Sequence, residues 1–337
     1  MAENENTAQI ANKISAEIFK VFHWELYAQN NANFKCELEH HKNENGKSKL
    51  THPGDVVFYY FDPYLNKTIY LHTDLKSYKK TTIQAKKIRE ALTSLAMTVE
   101  CAHLSNGWSD KFMAQDGHPY EVRGLLFVAN HDNKATAKFG EYLQGISIAN
   151  LPIAKGQIVH VLGPLEISTL FSVATDIKLS IQDKTISSHY RFHYPDLTLW
   201  KRHTPDDQRN GATIEMLLAP YFILKHHAVC DDKGVEVTRP GSVVYYARTG
   251  DTVEEFVYLI DCLSRYQLVN SKEQIKIKSF NRNRSSELKN NFDKAKRRYC
   301  DMWRFDGDRE AEVMGIPVDG IQQIVPNYVP DEIGWKE

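Results

Sequence analysis

The first clear pattern along the chain is helical. Ile10, Ile14, Ile18 and Val21 recur at spacings of three and four with no Pro or Gly between them, which predicts an amphipathic helix over residues 8–28. A polar gap from Lys42 to Lys49 ends at His52-Pro53-Gly54, a breaker that starts a strand in place of a helix. Val56 to Phe61 reads as that strand, Asp62 to Lys67 as a turn and Thr68 to Tyr78 as a second extended run, so the three predict a β-hairpin. Ile88, Leu92, Leu95 and Val99 then share one face of a second helix, whose start is crowded by Lys79, Lys80, Lys86, Lys87 and Arg89.

Beyond residue 120, short apolar runs at Gly124 to Val128 and Ile158 to Leu162 read as strands buried on both faces, and Leu165 to Ala174 as a helix. This alternation predicts an α/β fold. Strand-like stretches at His189 to Tyr194, Thr213 to Leu218 and Val243 to Ala247 follow, then a helix at Thr252 to Tyr266. The pattern places a boundary near residue 180, between a domain over 8–180 and a mixed α/β region over 181–337. Pro53-Gly54-Asp55-Val56-Val57-Phe58-Tyr59 resembles Pro240-Gly241-Ser242-Val243-Val244-Tyr245-Tyr246, but nothing else repeats at that offset, so the likeness reads as chance.

With 337 residues, 42% of them hydrophobic, the chain can bury a substantial core. No stretch approaches the roughly 18 apolar residues of a membrane span, and the polar, acidic start from Met1 to Thr7 does not read as a leader. The expectation is a folded cytoplasmic protein with no membrane part. Cys36, Cys101, Cys230, Cys262 and Cys300 are odd in number and lack a CxxC pair, which argues for reduced thiols. Cys36 with His40 and His41, and His226-His227 with Cys230, have zinc-binding residue types but neither finger nor ribbon spacing.

The net charge of -1 hides an asymmetry: Lys272 to Arg298 holds ten basic residues against three acids, and Asp301 to Glu337 nine acids against three basic residues. A basic, helix-compatible segment followed by an acidic tail predicts that the tail folds back and competes with a phosphate backbone for the same cations. The region 181–337 is accordingly assigned to substrate or partner binding. Phosphate-loop, dinucleotide and GxSxG motifs are missing from the sequence, which leaves nucleotide hydrolysis and serine-hydrolase chemistry without a basis.

The residues that carry chemistry sit on the hairpin. Strand alternation puts Tyr70, His72, Asp74, Lys76 and Tyr78 on one face of its second strand and Ile69, Leu71 and Leu75 on the other. Asp55, 19 residues before Asp74, lies at the mouth of the first strand, close enough across the hairpin for two carboxylates to converge on one cation. Mg2+ prefers hard oxygen ligands, and two carboxylates with a strand carbonyl suit it. On the first helix Glu17 falls about 20° from the direction of Ile10, inside the apolar stripe, where an ionised carboxylate needs a cation or a polar opening; Glu25 is its competitor. The plain alternative for the hairpin is a surface Asp to Lys pair worth at most about 1 kcal/mol. Tyr64, Tyr70, Tyr78, Trp108 and Tyr120 are either base-stacking surfaces or core.

Asp55, a hairpin turn and Asp74-Leu75-Lys76 resemble the PD-(D/E)xK signature of restriction-endonuclease-like nucleases, although the first acid follows Gly54 instead of a proline. That family's core of helix, motif hairpin, second helix and further strands is similar to residues 8 to about 165. The resemblance implies that Asp55, Asp74, Glu17 and the Leu75 carbonyl hold Mg2+, or Mn2+ in its place. It further implies that Lys76 positions and activates the attacking water, that Gln84 supports the site, and that Lys79, Lys80, Lys86 and Lys87 contact phosphates. The implied activity is metal-dependent endonuclease cleavage of DNA, less so RNA, in prokaryotic restriction or phage defence. A protein partner from the same system and a homo-oligomer are compatible with it. The alternative is an inactive subunit of the same fold that binds nucleic acid or a protein.

Overall fold

The computed structural model describes residues 2–28, 32–43, 45–54, 56–112, 119–132, 134, 138–195, 211–270, 272–326 and 328–329, with side chains from residue 9 onward. The chain forms two compact units, one of residues up to Asp62, Asn66–Phe171 and those from Val325 on, the other of Pro63–Leu65 and Ser172–Ile324. Among the described residues no helix is long and apolar enough to cross a membrane.

The first unit opens with α1 (Ala2–Glu17), in which Ala11 and Ile14 are fully buried. The expectation of a helix to residue 28 is overturned here. A 3-10 turn takes over at Phe19–Phe22, and His23 turns left-handed at φ 59°. The cause is packing: Phe19 stacks on Trp24 at 4.6 Å and meets Phe58 edge-on at 4.7 Å, and a continued helix would put Phe19 and Trp24, five residues apart, about 140° apart around its axis. Glu25 therefore heads a strand, β1 (Glu25–Ala28), paired opposite Tyr59. It is no longer a competitor on a helix face.

A short antiparallel pair, β2 (Phe34–Lys35) and β3 (Thr51–His52), leads into the predicted hairpin of β4 (Val56–Asp62) and β5 (Lys67–Tyr78). Its register runs from Val57 opposite His72 to Asp62 opposite Lys67. Next come α2 (Ala85–Leu104), α3 (Asn106–Phe112), β6 (Tyr120–Asn130), α4 (Phe139–Gln144), β7 (Val159–Leu162) and α5 (Pro164–Gln182). The sheet order is β1-β4-β5-β6-β7, antiparallel up to β5 and parallel from β5 to β7. Ile88, Leu92, Leu95 and Val99 of α2 cover Tyr70, Val122, Leu126 and Val128 of the sheet, as their helical spacing predicts. Gly124 sits where an added Cβ would come within 3.2 Å of Leu95, so the helix lies close on β6.

The second unit contains β8 (Tyr190–Phe192), α6 (Ile214–Leu217), β9 (Tyr221–His226), β10 (Val229–Cys230), β11 (Glu236–Thr238), β12 (Gly241–Tyr246), α7 (Val253–Arg265), β13 (Gln274–Ser279), α8 (Leu288–Trp303), α9 (Gly307–Met314) and β14 (Val318–Gly320). Its sheet order is β8-β9-β12-β13-β14, again with two antiparallel pairings followed by two parallel ones. A helix precedes the first strand and another follows the third in both sheets. The second unit thus repeats the plan of the first. The two similar heptapeptides do not mark this repeat, because one enters β4, second in its sheet, and the other forms β12, third in its own. At the place of β5, β12 reads Gly-Ser-Val-Val-Tyr-Tyr, without a carboxylate.

Three readings of this half are corrected. Thr213 to Leu218 is helical, because the Thr213 hydroxyl caps α6 by accepting from the Met216 amide at 3.1 Å, and β-branched residues alone had read as strand. The basic segment is a strand and then a helix, β13 and α8. The described start of the acidic segment is built into the second unit: α9 and β14 are integral, β14 extends the sheet beside β13, and Val313, Ile316, Val318 and Ile321 are buried. Lys296, itself buried, donates to the Met314 and Ile316 carbonyls at 2.9 and 3.1 Å. Residues 307–321 therefore belong to the core of the second unit and are not free to compete for a phosphate backbone.

Candidate active site

The burial of β5 changes along its length. From Ile69 to Thr73 both faces are buried, whereas Asp74 to Tyr78 open toward solvent. Asp74 and Lys76, two residues apart, project to the same side. The Lys76 Nζ lies 2.8 Å from Asp74 Oδ1, with the side chains 34% and 25% exposed. Burial pulls the Lys76 pKa down, but the charge and hydrogen bond of Asp74 outweigh it and the net shift is upward. The ammonium is held charged beside the carboxylate.

The outer end of β5 is fixed to β6. Asn130 Nδ2 and the His131 amide both donate to the Tyr78 carbonyl, at 3.1 and 3.2 Å, and Ser77 Oγ lies 3.0 Å from His131 Nδ1. A second lysine, Lys49, feels the charge of Asp74. Lys49 has its pKa lowered by burial, with the charges of Cys36, Cys101 and Asp74 opposing the shift. Lys49 is one of several lysines in a polar gap, and only the fold distinguishes the half-buried one.

His72 shares the face of Asp74 but is an interior group. Trp108 Nε1 donates to its Nδ1 at 3.2 Å, and burial pushes the imidazole down to about 4, so it stays neutral. Trp108 and Tyr70 are likewise core residues and not stacking surfaces. The Tyr64 hydroxyl donates to the Pro195 carbonyl at 3.0 Å. Tyr78 and Tyr120 keep partial exposure.

Asp55 lies outside the described residues; its neighbour Val56 begins β4. Leu75 stands between Asp74 and Lys76, opposite Phe127 of β6. Gln84 is the residue before α2, with extended backbone, and its Nε2 donates to the Thr81 carbonyl at 2.9 Å. Lys79, Lys80, Lys86 and Lys87 are all exposed around that helix start, Lys87 pairing with Glu90 at 2.8 Å. The structure thus joins Asp74 to Lys76 and gathers the four lysines near one helix end.

Glu17 is the last residue of α1, and its Oε2 accepts from the Tyr328 hydroxyl at 2.5 Å. Tyr328 is buried and packs on Phe171 at 4.9 Å. A short bond to a charged acceptor is worth more than a neutral one. Glu17→Gln and Tyr328→Phe are therefore each expected to cost about 1–2 kcal/mol, read by denaturant unfolding. Unchanged stability in both variants would show that this bond does not hold the helix end.

Residues 1–166 match the family model described as the GAPS4 protein PD-(D/E)XK nuclease domain. Searches of the curated proteins and of the solved structures gave no match. The matched segment covers α1, the motif hairpin, α2 and the parallel strands β6 and β7, the elements that place Asp74 and Lys76. The N-terminal half of this chain is a domain of the PD-(D/E)xK nuclease superfamily, of the kind found in GAPS4 proteins.

Proposed function

We propose that the chain is a metal-dependent endonuclease that hydrolyses DNA phosphodiesters as part of a prokaryotic defence system. The observation that carries the reading is the Asp74 to Lys76 pair at 2.8 Å on the opening end of β5, within a domain of nuclease ancestry. The donor set fits a hard divalent cation: the Asp74 carboxylate is part-buried yet reachable, and the Leu75 carbonyl adjoins it on the same strand. Asp74 and Leu75 would hold Mg2+ or Mn2+, with Asp55 and Glu17 as further carboxylates. Such an ion supplies positive charge to a phosphodiester undergoing in-line attack.

The protein's own groups do the positioning. The Lys76 ammonium, held by Asp74, donates hydrogen bonds toward the attacking water and the phosphate oxygens, where charge develops in the transition state. Gln84 steadies the segment leading into α2 through Thr81. Lys79, Lys80, Lys86 and Lys87 neutralise backbone phosphates, which gives binding without sequence preference and with a strong salt dependence. The second unit, whose β12 offers no carboxylate at the matching place, serves substrate or partner binding.

The substrate is tested by offering the purified full chain duplex DNA and RNA of one sequence with Mg2+, and following cleavage on denaturing gels. Cleavage of the DNA strand is expected. Cleavage of RNA alone, or binding of both without a cut, would overturn the assignment, the latter in favour of an inactive binding subunit.

A further inference from the structure

The first unit contains a second constellation of ligand-type side chains. Cys36 follows β2, His41 lies five residues on, His52 closes β3, and Cys101 sits on α2. One ligand atom from each comes within 4.8 Å of all the others. His41, His52 and Cys101 are buried and Cys36 is half-buried.

The spacing is that of ligands around a common centre. Cys36 Sγ lies 3.6 Å from Cys101 Sγ, and His41 Nδ1 lies 3.5 Å from the first sulfur and 3.3 Å from the second. Tetrahedral zinc, with bonds of about 2.3 Å to sulfur and about 2.0 Å to nitrogen, sets sulfur to sulfur edges near 3.8 Å and sulfur to nitrogen edges near 3.5 Å. A disulfide would need about 2.05 Å. The sulfurs are thus too far apart for a bond to each other and correctly spaced for a shared ion.

The imidazoles are oriented for the same purpose. The Thr98 hydroxyl spends its hydrogen on the Ser94 carbonyl at 2.8 Å, so toward His52 Nδ1, 3.2 Å away, it acts as acceptor. That fixes the proton of His52 on Nδ1 and leaves a lone pair on Nε2, an atom that is buried with no hydrogen-bond partner. His41 turns Nδ1 to the two thiols and Nε2 to the Glu100 carboxylate at 3.0 Å, the carboxylate to histidine arrangement that orients metal-bound imidazoles. A buried imidazole nitrogen without a hydrogen-bond partner, on a residue whose ligand atom lies within 4.8 Å of those of two thiols and a second histidine, has no evident purely structural role.

We infer that Cys36, His41, His52 and Cys101 form a closed, tetrahedral zinc site separate from the proposed Asp74 centre. Four protein ligands leave no open position, which marks the site as structural. It clamps the connection between β2 and β3 onto α2, and through His52-Pro53-Gly54 it sets where the chain enters β4. His40, exposed and 3.6 Å from Glu100, is outside the ligand set. Two of the ligands, Cys36 and His41, stand out in the sequence as zinc-binding residue types without finger or ribbon spacing; the other two come from β3 and from Cys101 on α2, 65 residues after Cys36, a separation that only the fold closes.

The test uses the full chain purified without added metal or chelator, with metal content measured by plasma mass spectrometry. About one zinc per chain is expected in the wild type and in His40→Ala and Asp74→Ala, and none in Cys101→Ser or His52→Ala. Glu100→Gln should weaken zinc binding about 10–100-fold in a competition titration. A ligand variant that fails to fold would not separate these roles, so the wild type is also loaded with Co2+, where intense visible bands and a thiolate charge-transfer band mark a tetrahedral site with sulfur ligands. Folded wild-type protein that holds no zinc and shows no such Co2+ spectrum would overturn the site, as would a Cys36 to Cys101 disulfide found by mass mapping or zinc that is lost in Asp74→Ala.

Discussion

Replacing Lys76 by Ala is expected to reduce DNA hydrolysis by about a hundred- to a thousandfold, the cost of removing one positioned donor from a developing anion. Asp74→Ala should be at least as severe, since it removes both a carboxylate ligand for the divalent ion and the anchor of Lys76, 2.8 Å away. Neither change should unfold the protein. Both side chains are part-exposed, and a pair of this kind contributes no more than about 1 kcal/mol to stability. The variants should therefore melt close to the wild type while losing turnover. A variant that cuts at the wild-type rate in Mg2+ would dissociate the pair from the chemistry.

The second large effect concerns the C-terminal segment. Deleting residues 301–337 removes α9, β14 and the buried side chains of Val313, Ile316, Val318 and Ile321. At about 1.5–3 kcal/mol for each buried aliphatic side chain the loss is about 6–12 kcal/mol, comparable to the whole stability of an ordinary domain. The deletion also strips Lys296 of its two carbonyl acceptors, leaving Asp293 as its ion-pair partner, and exposes the edge of β13. The truncated chain is expected to leave the second unit unfolded, seen as a lost cooperative melting transition and rapid proteolysis. A truncated protein with both units intact would show that the segment is dispensable packing. Tighter nucleic-acid binding on truncation, the behaviour of an autoinhibitory tail, is not expected from a strand built into a sheet.

How much of this was legible beforehand follows from where the physical signal lay. The β4 to β5 hairpin and α2 were plain, because turn chemistry at Asp62 to Lys67 and the repeat of Ile88, Leu92, Leu95 and Val99 are local properties. Asp74 and Lys76 could be paired from strand alternation alone. The end of α1 was missed because the packing of Phe19 against Trp24 and Phe58 is a tertiary contact, and helical periodicity does not register it. The repeated sheet plan of the second unit was hidden, since β12 carries no motif and topology leaves no trace in short peptide likeness. Net charge misled at the C-terminus, where alternate apolar residues among the acids, Val313, Ile316, Val318 and Ile321, had more weight than the acids themselves.

The proposed Asp74 centre is expected to cleave DNA with the help of a divalent ion. It is tested most directly by incubating wild type and Asp74→Ala with supercoiled plasmid, each in Mg2+ and in chelator, and following the conversion to nicked and linear forms. Conversion is expected from the wild type in Mg2+ alone. Equal conversion in chelator, or by Asp74→Ala in Mg2+, would contradict it.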